Sequence, residues 1–179
     1  MKLKGSEHRY GVIARALHWG IALLLIGLSG LGLYMVELSY YDADYKSSVD
    51  LHRSLGVLTA LLIMLRMIWA RFDFRPPLSA DLTPLEHQAA TWTHRFFYLL
   101  MVLLPIAGYL VSTADGRGVE VFGLFELPAL LPAATGREEW AGDLHEGLAI
   151  ALWLFLVVHM AAAFKHHFFD KNDTLKKML

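Results

Sequence analysis

An all-α integral membrane bundle of four spanning helices, with both termini cytoplasmic, is the fold that this sequence predicts, and three observations carry that reading. Of 179 residues, 56% are hydrophobic and 18% charged, with a mean hydropathy of +0.43, whereas a soluble domain is roughly 45–50% apolar and 25% charged. Four apolar runs each approach the roughly 20 residues a helix needs to cross a bilayer. The basic residues between those runs fall unevenly on the two sides, as cytoplasmic and outer loops do.

The first span runs over residues 17–36. Lys2 and Lys4 precede it as in a signal peptide, but the apolar run is too long for a secretory h-region. No small-residue cleavage site follows it, so a retained helix is expected. The second span covers residues 51–70, the third 92–111 and the fourth 144–164. Pro105 is expected to kink the third, its neighbours re-satisfying the freed carbonyl. Between the third and fourth spans, the stretch VEVFGLFELPALL is expected to form a short helix lying on the outer surface. One domain is expected over residues 1–179, since the loops are short and no repeat or linker interrupts them.

Orientation follows from Lys and Arg in the flanks. Lys2, Lys4, Arg9, Arg15, Arg71, Arg75, Lys165, Lys171, Lys176 and Lys177 share one side. Lys46, Arg117 and Arg137 lie on the other. The richer side is the cytoplasmic one, which places the chain in a bacterial inner membrane with its first and third loops facing the periplasm. No basic tract of the nucleic-acid-binding kind is present, so no nucleic-acid partner is expected.

The chain has nine histidines and no cysteine. Disulfides, thiolate-held zinc, iron–sulfur clusters and covalent c-type haem are thereby excluded, and a metal here is held mainly by imidazole. Four histidines fall in the spans, where a metal-capable side chain is a functional candidate by default. His18 lies near the inner end of the first span, His52 at the outer end of the second, His145 at the outer end of the fourth and His159 deeper in the fourth. Fourteen helical residues separate His145 from His159 by about 21 Å along the axis and return to within about 40° of the same face. His145 is then level with His52, and His159 with His18. Two imidazole pairs at two depths are what two bis-histidine b haems require. A lone membrane histidine is more often a packing residue, but pairing by depth argues against that here. A zinc site is poorer still, because no three ligands converge at one depth.

Arg15-x-x-His18-Trp19, Leu51-His52 with Gly56 after it, Leu144-His145-Glu146 and Val158-His159 followed by Lys165-His166-His167 resemble the bacterial cytochrome b561 family over nearly the whole chain. The stretches LSYYD from Leu38, GYLVSTADG from Gly108 and HHFFDKNDTL from His166 resemble one subgroup, whose members are expected beside a periplasmic lipocalin-like isoprenoid-binding protein. The resemblance implies two non-covalent b haems, with His18 and His159 on the inner iron and His52 and His145 on the outer one. It also implies exchange of electrons with ubiquinone, with superoxide:ubiquinone oxidoreductase as one activity. The alternative is a haem-b membrane subunit relaying electrons to or from a periplasmic protein.

His94, with Arg95 beside it, starts the third span at the inner end. It competes with His18 as a ligand, or else contacts a haem propionate or a quinone carbonyl. Arg15, Arg53, Arg95 and His166 are further candidates for propionate or quinone contacts, with interface anchoring as the ordinary alternative. Both outer loops are net acidic, which counts against steering of superoxide, an anion, unless Arg53, Arg117 and Arg137 form a local basic patch.

Overall fold

The computed structural model describes residues 2–79 and 81–179. Its helices are α1 (Val12–Val36), α2 (Tyr45–Phe72), α3 (Pro84–Ser112) and α4 (Arg137–Phe164), the last continued by a π-helical turn over Lys165–Phe169. All four are long and apolar enough to cross a membrane. They span 25 to 29 residues, about 38–44 Å at the α-helical rise. That exceeds the roughly 30 Å hydrocarbon layer, so each helix is long enough to reach the headgroup regions on both sides.

Local chemistry sets the helix starts. Thr83 caps α3 in a reciprocal box with Glu86, and Pro84 follows at the first helical position, where its missing N–H costs nothing. α3 runs through Pro105 without a break. α4 begins after Gly136 in the left-handed region (φ 77°), a conformation that suits glycine. Where α3 ends, the buried Arg137 reaches back to donate to the carbonyls of Thr113 at 2.7 Å and Ala114 at 3.2 Å, adding to the Gly116 and Ala134 N–H groups that these carbonyls also accept.

The third loop corrects an expectation. In place of a surface helix it forms an antiparallel hairpin of β1 (Val119–Val121) and β2 (Phe125–Leu127), with Val119 opposite Leu127 and Glu120 opposite Glu126. The physical reason is the period: Val119 and Val121 are buried and Glu120 is exposed, an alternation of two that a helix cannot use. Phe122 and Gly123, at φ 51° and 69°, make the turn. The hairpin is held to α2 where the Phe122 N–H donates to Ser54 Oγ at 2.9 Å.

Both termini lie on the face opposite the hairpin. There Gly5 N donates to Asp73 Oδ1 at 2.7 Å, Tyr10 N to the Lys177 carbonyl at 3.1 Å, Trp19 Nε1 to the Met178 carbonyl at 3.0 Å and Lys177 Nζ to the Pro77 carbonyl at 2.9 Å. The tail therefore straps the N-terminal segment, α1 and the α2–α3 loop together. The bundle interior packs on Ile21, Ile63 and Met101 from three helices, with Leu17, Phe97 and Tyr98 around them. Most other large apolar residues, such as Leu23, Leu61 and Leu154, face outward, an apolar belt of the kind that lipid covers.

Candidate functional site

At the hairpin end, α2 supplies His52 and α4 supplies His145. Their ring centroids stand 6.2 Å apart, with the planes at 76°. Two glycines make room for these rings. A Cβ on Gly108 would lie 3.0 Å from His145 Cε1 and 3.1 Å from Nδ1, and one on Gly32 would lie 3.5 Å from His52 Cε1. His145 Nδ1 is 3.0 Å from the Leu104 carbonyl. A carbonyl only accepts, so Nδ1 carries the proton and Nε2 is left as the free lone pair. His52 Nδ1 is buried, and its nearest backbone partner, Leu28, stands short of the geometry of the His145 bond.

At the termini end three imidazoles meet. His18 of α1 and His159 of α4 have centroids 6.4 Å apart at 62°, and His94 of α3 stands 6.1 Å from His159 at 65°. Phe97 meets the His159 ring edge-on at 5.4 Å, and Trp19 meets His18 at 5.2 Å. The structure thus brings together both pairs read from the sequence and sets His94 as close to His159 as His18 is.

These spacings suit a metal held between facing rings. A metal–imidazole bond is about 2 Å and the ring centre lies about 1.1 Å behind its nitrogen, so two imidazoles on opposite sides of one metal have centroids about 6 Å apart. The facing rings of each pair come from α4 and from α1 or α2, and the bare Cα of Gly108 and Gly32 makes room beside the pair at the hairpin end.

The remaining candidates divide. Arg15 donates to the Leu179 carbonyl, and Arg95 lies over the outward-facing Trp92 ring at 5.0 Å, a cation–π contact. Arg53 is half-buried between His52 and Ser54. His166 Nδ1 lies 2.7 Å from Asp170 Oδ2, and Lys165 bridges Asp170 at 2.7 Å and Glu86 at 2.8 Å. Glu86, His166 and Asp170 are close enough to hold a cation, but the Lys165 ammonium already serves that charge. Lys165 first and His166 second hold the Asp170 carboxyl below the usual range. This network went unread in the sequence, although the four-residue spacing of His166 and Asp170 is a signal for it.

Of the three arginines that could form a basic patch at the hairpin end, two are engaged elsewhere. Arg117 is paired with Asp115 at 2.5 Å, and Arg137 is only 5% exposed, spent on the carbonyls that end α3. Burial and pairing remove both from any role in steering.

Four spanning helices that present facing imidazoles at two depths define a multi-pass membrane protein of the transmembrane cytochrome class. The family model of the prokaryotic cytochrome b561 proteins matches residues 9–179, and the chain belongs to that family, which carries electrons through the bacterial inner membrane on b-type haem. The chain is 42% identical over 179 residues to "Cytochrome b561 homolog 2" of Escherichia coli (strain K12), covering all of this chain and 95% of that protein. It is 26% identical over 173 residues to "Probable superoxide oxidase CybB" of Yersinia pestis, covering 96% of each. It is 23% identical over 167 residues to "Cytochrome b561 homolog 1" of Escherichia coli (strain K12), covering 91% of this chain and 92% of that protein.

Proposed function

We propose that the protein is a di-haem b cytochrome that moves electrons across the membrane between the quinone pool and a donor or acceptor at the hairpin face. His18 and His159 hold one iron and His52 and His145 the other. The observation that carries this reading is the facing of two imidazole pairs at 6.2 and 6.4 Å, both completed by α4. In the proposed orientation the termini face is cytoplasmic, in keeping with its excess of Lys and Arg.

Bound haem supplies one-electron cycling of its iron. The chain's part is position, burial and ligand strength. Each imidazole pair would hold a haem iron and leave it no site for further ligands, which would suit electron transfer without ligand exchange. The Leu104 carbonyl, by accepting from His145 Nδ1, orients that ring and leaves Nε2 as the atom that would meet the metal. His94, 6.1 Å from the His159 ring, would contact a haem propionate or a quinone there, with His166, Arg15, Arg53 and Arg95 as further candidates. Ubiquinone is the expected quinone.

A second reading, electron relay to or from a periplasmic protein, gains from the engagement of two of those three arginines. With Arg117 paired and Arg137 buried, Arg53 and Lys46 are left as the cations of the hairpin face, against the more numerous carboxylates of its loops. Haem counting and redox titration of the purified protein and of its His52→Ala and His18→Ala variants test the core of the proposal. Each variant is expected to lose one haem, and a different one; loss of the same haem from both defeats the depth pairing.

A further inference from the structure

We propose that the β-hairpin is a docking platform for a basic, soluble redox protein. This rests on the second reading above and names the surface that reading requires.

The hairpin is tied to α2, which carries His52, and the chain just after it is tied to α3, whose Gly108 faces His145. On one side the Phe122 N–H donates to Ser54 Oγ at 2.9 Å, two residues after His52, and Ser54 Oγ donates to the Asp50 carbonyl at 2.8 Å. On the other, Tyr109 Oη donates to the Pro128 carbonyl and accepts from Leu130 N, both at 2.8 Å. Tyr109 adjoins Gly108, against which the His145 ring rests. A protein seated on the hairpin would therefore sit over the imidazole pair with little loose chain between them.

The hairpin's surface works against its own stability. Glu120 and Glu126 are direct cross-strand partners and both are exposed; like charges so placed repel. Phe122 is a bulky residue at φ 51°, in a region that such residues rarely adopt. The tip presents Leu124 at 80% exposure and Phe125 at 53%. An apolar tip flanked by unneutralised carboxylates is the pattern of a docking surface, with an apolar centre, a charged rim and complementary charge on the partner. Exposed Glu138, Glu139, Asp42 and Asp44 carry the same sign across the adjoining face.

Charge also selects among occupants. If the tip sank into lipid, three-residue strands would bring Glu120 and Glu126 to within about 10 Å of it, and the hairpin has no Trp, Tyr, Lys or Arg of the kind that anchors at an interface. A second copy would set one acidic face against another. A basic protein meets neither objection.

The test uses the full haem-loaded protein in phosphatidylcholine nanodiscs, with cytochrome c as a basic soluble probe and succinylated cytochrome c as its charge-reversed control. Binding to cytochrome c alone is expected, weakening about tenfold between low and physiological salt. The double variant Glu120→Lys/Glu126→Lys is expected to weaken it about tenfold further, and Leu124→Asp several-fold, with haem content and spectra unchanged. Wild-type binding in the double variant overturns the proposal. So does quenching of a label at position 124 by headgroup-brominated lipid, which assigns the tip to the bilayer, or a fall from dimer to monomer mass in the double variant, which assigns it to a second copy. Chemical reduction of the same particles separates the two ideas: haems that reduce normally without probe binding leave electron transfer standing and remove the docking platform.

Discussion

The two ends of the bundle solve the same problem differently. At the hairpin end two imidazoles face each other, one ring is locked by a carbonyl, two glycines make the space and a hydrogen-bonded loop closes the surface above. At the termini end three imidazoles and an aromatic edge converge, and a tail strap closes the surface. In the proposed reading the hairpin end has two ligands and no spare imidazole, and the termini end has one to spare. A site with no surplus group suits transfer alone, whereas a third imidazole is available to a second molecule that needs a hydrogen bond or a proton.

The sharpest way to break this comparison is by ligand. Replacing His52 or His145 by Ala should remove the hairpin-end haem wholly, so that a pyridine haemochrome assay falls from two haems per chain to about one. His159→Ala should do the same at the termini end. His94→Ala should keep both haems and alter only the termini-end potential or its response to quinone. A haem lost from His94→Ala and kept in His18→Ala would reverse the assignment of that pair.

Space comes next. Gly108→Ala forces a methyl to 3.0 Å from the locked imidazole, and overpacking of this kind costs about 1–3 kcal/mol. Thermal denaturation in detergent should show the loss, with the hairpin-end haem released first. Gly32→Ala, at an ordinary 3.5 Å, should cost under about 1 kcal/mol. About 1 kcal/mol is expected for Arg137→Leu, which removes one of two donors from each of the Thr113 and Ala114 carbonyls and leaves those of Gly116 and Ala134. Equal losses at Gly108 and Gly32 would mean the two rings are held alike.

The smallest effect is expected at the tail. Asp170 titrates below the ordinary carboxylate value of about 3.9 because Lys165 and His166 favour its charge. A depressed folded value stabilises above the unfolded value, so the contribution is complete at neutral pH and is lost as pH falls through the lowered one. Amide exchange in the segment 165–179 should quicken over that acid range while the helices stay protected. Lys165→Ala should quicken it already at neutral pH, with a scarcely measurable change in melting. These ion pairs are exposed and salt-screened.

Hydropathy and spacing made the spans and the histidine depths legible, because apolar run length and helical geometry are properties of the chain itself. The helix ends were not legible to the same degree. α2 starts at Tyr45 and α3 at Pro84, several residues before their apolar runs, since polar turns continue a helix among headgroups where hydropathy no longer marks it. The Thr83–Glu86 box was the local signal for α3. The hairpin was misread because apolar content outweighed the alternation in VEV and FEL, though Gly123 marks the turn. The fates of Arg15 and Arg137 were beyond the sequence: both bond carbonyls set by tertiary packing, Arg15 to a residue 164 positions away. The nearness of His94 to His159 depends likewise on how α3 and α4 are rotated against each other.

α4 carries one imidazole of each pair, and its consequence is modularity. The interval between the two centres is ruled by fourteen residues of a single uninterrupted helix, so neither the hairpin nor the tail sets it. Loops can change and acquire new partners at either surface while the step between centres stays the same. One residue inserted between His145 and His159 would instead turn one imidazole about 100° away from its counterpart. Tolerance of insertions should therefore be wide in the loops and close to nil along that one stretch.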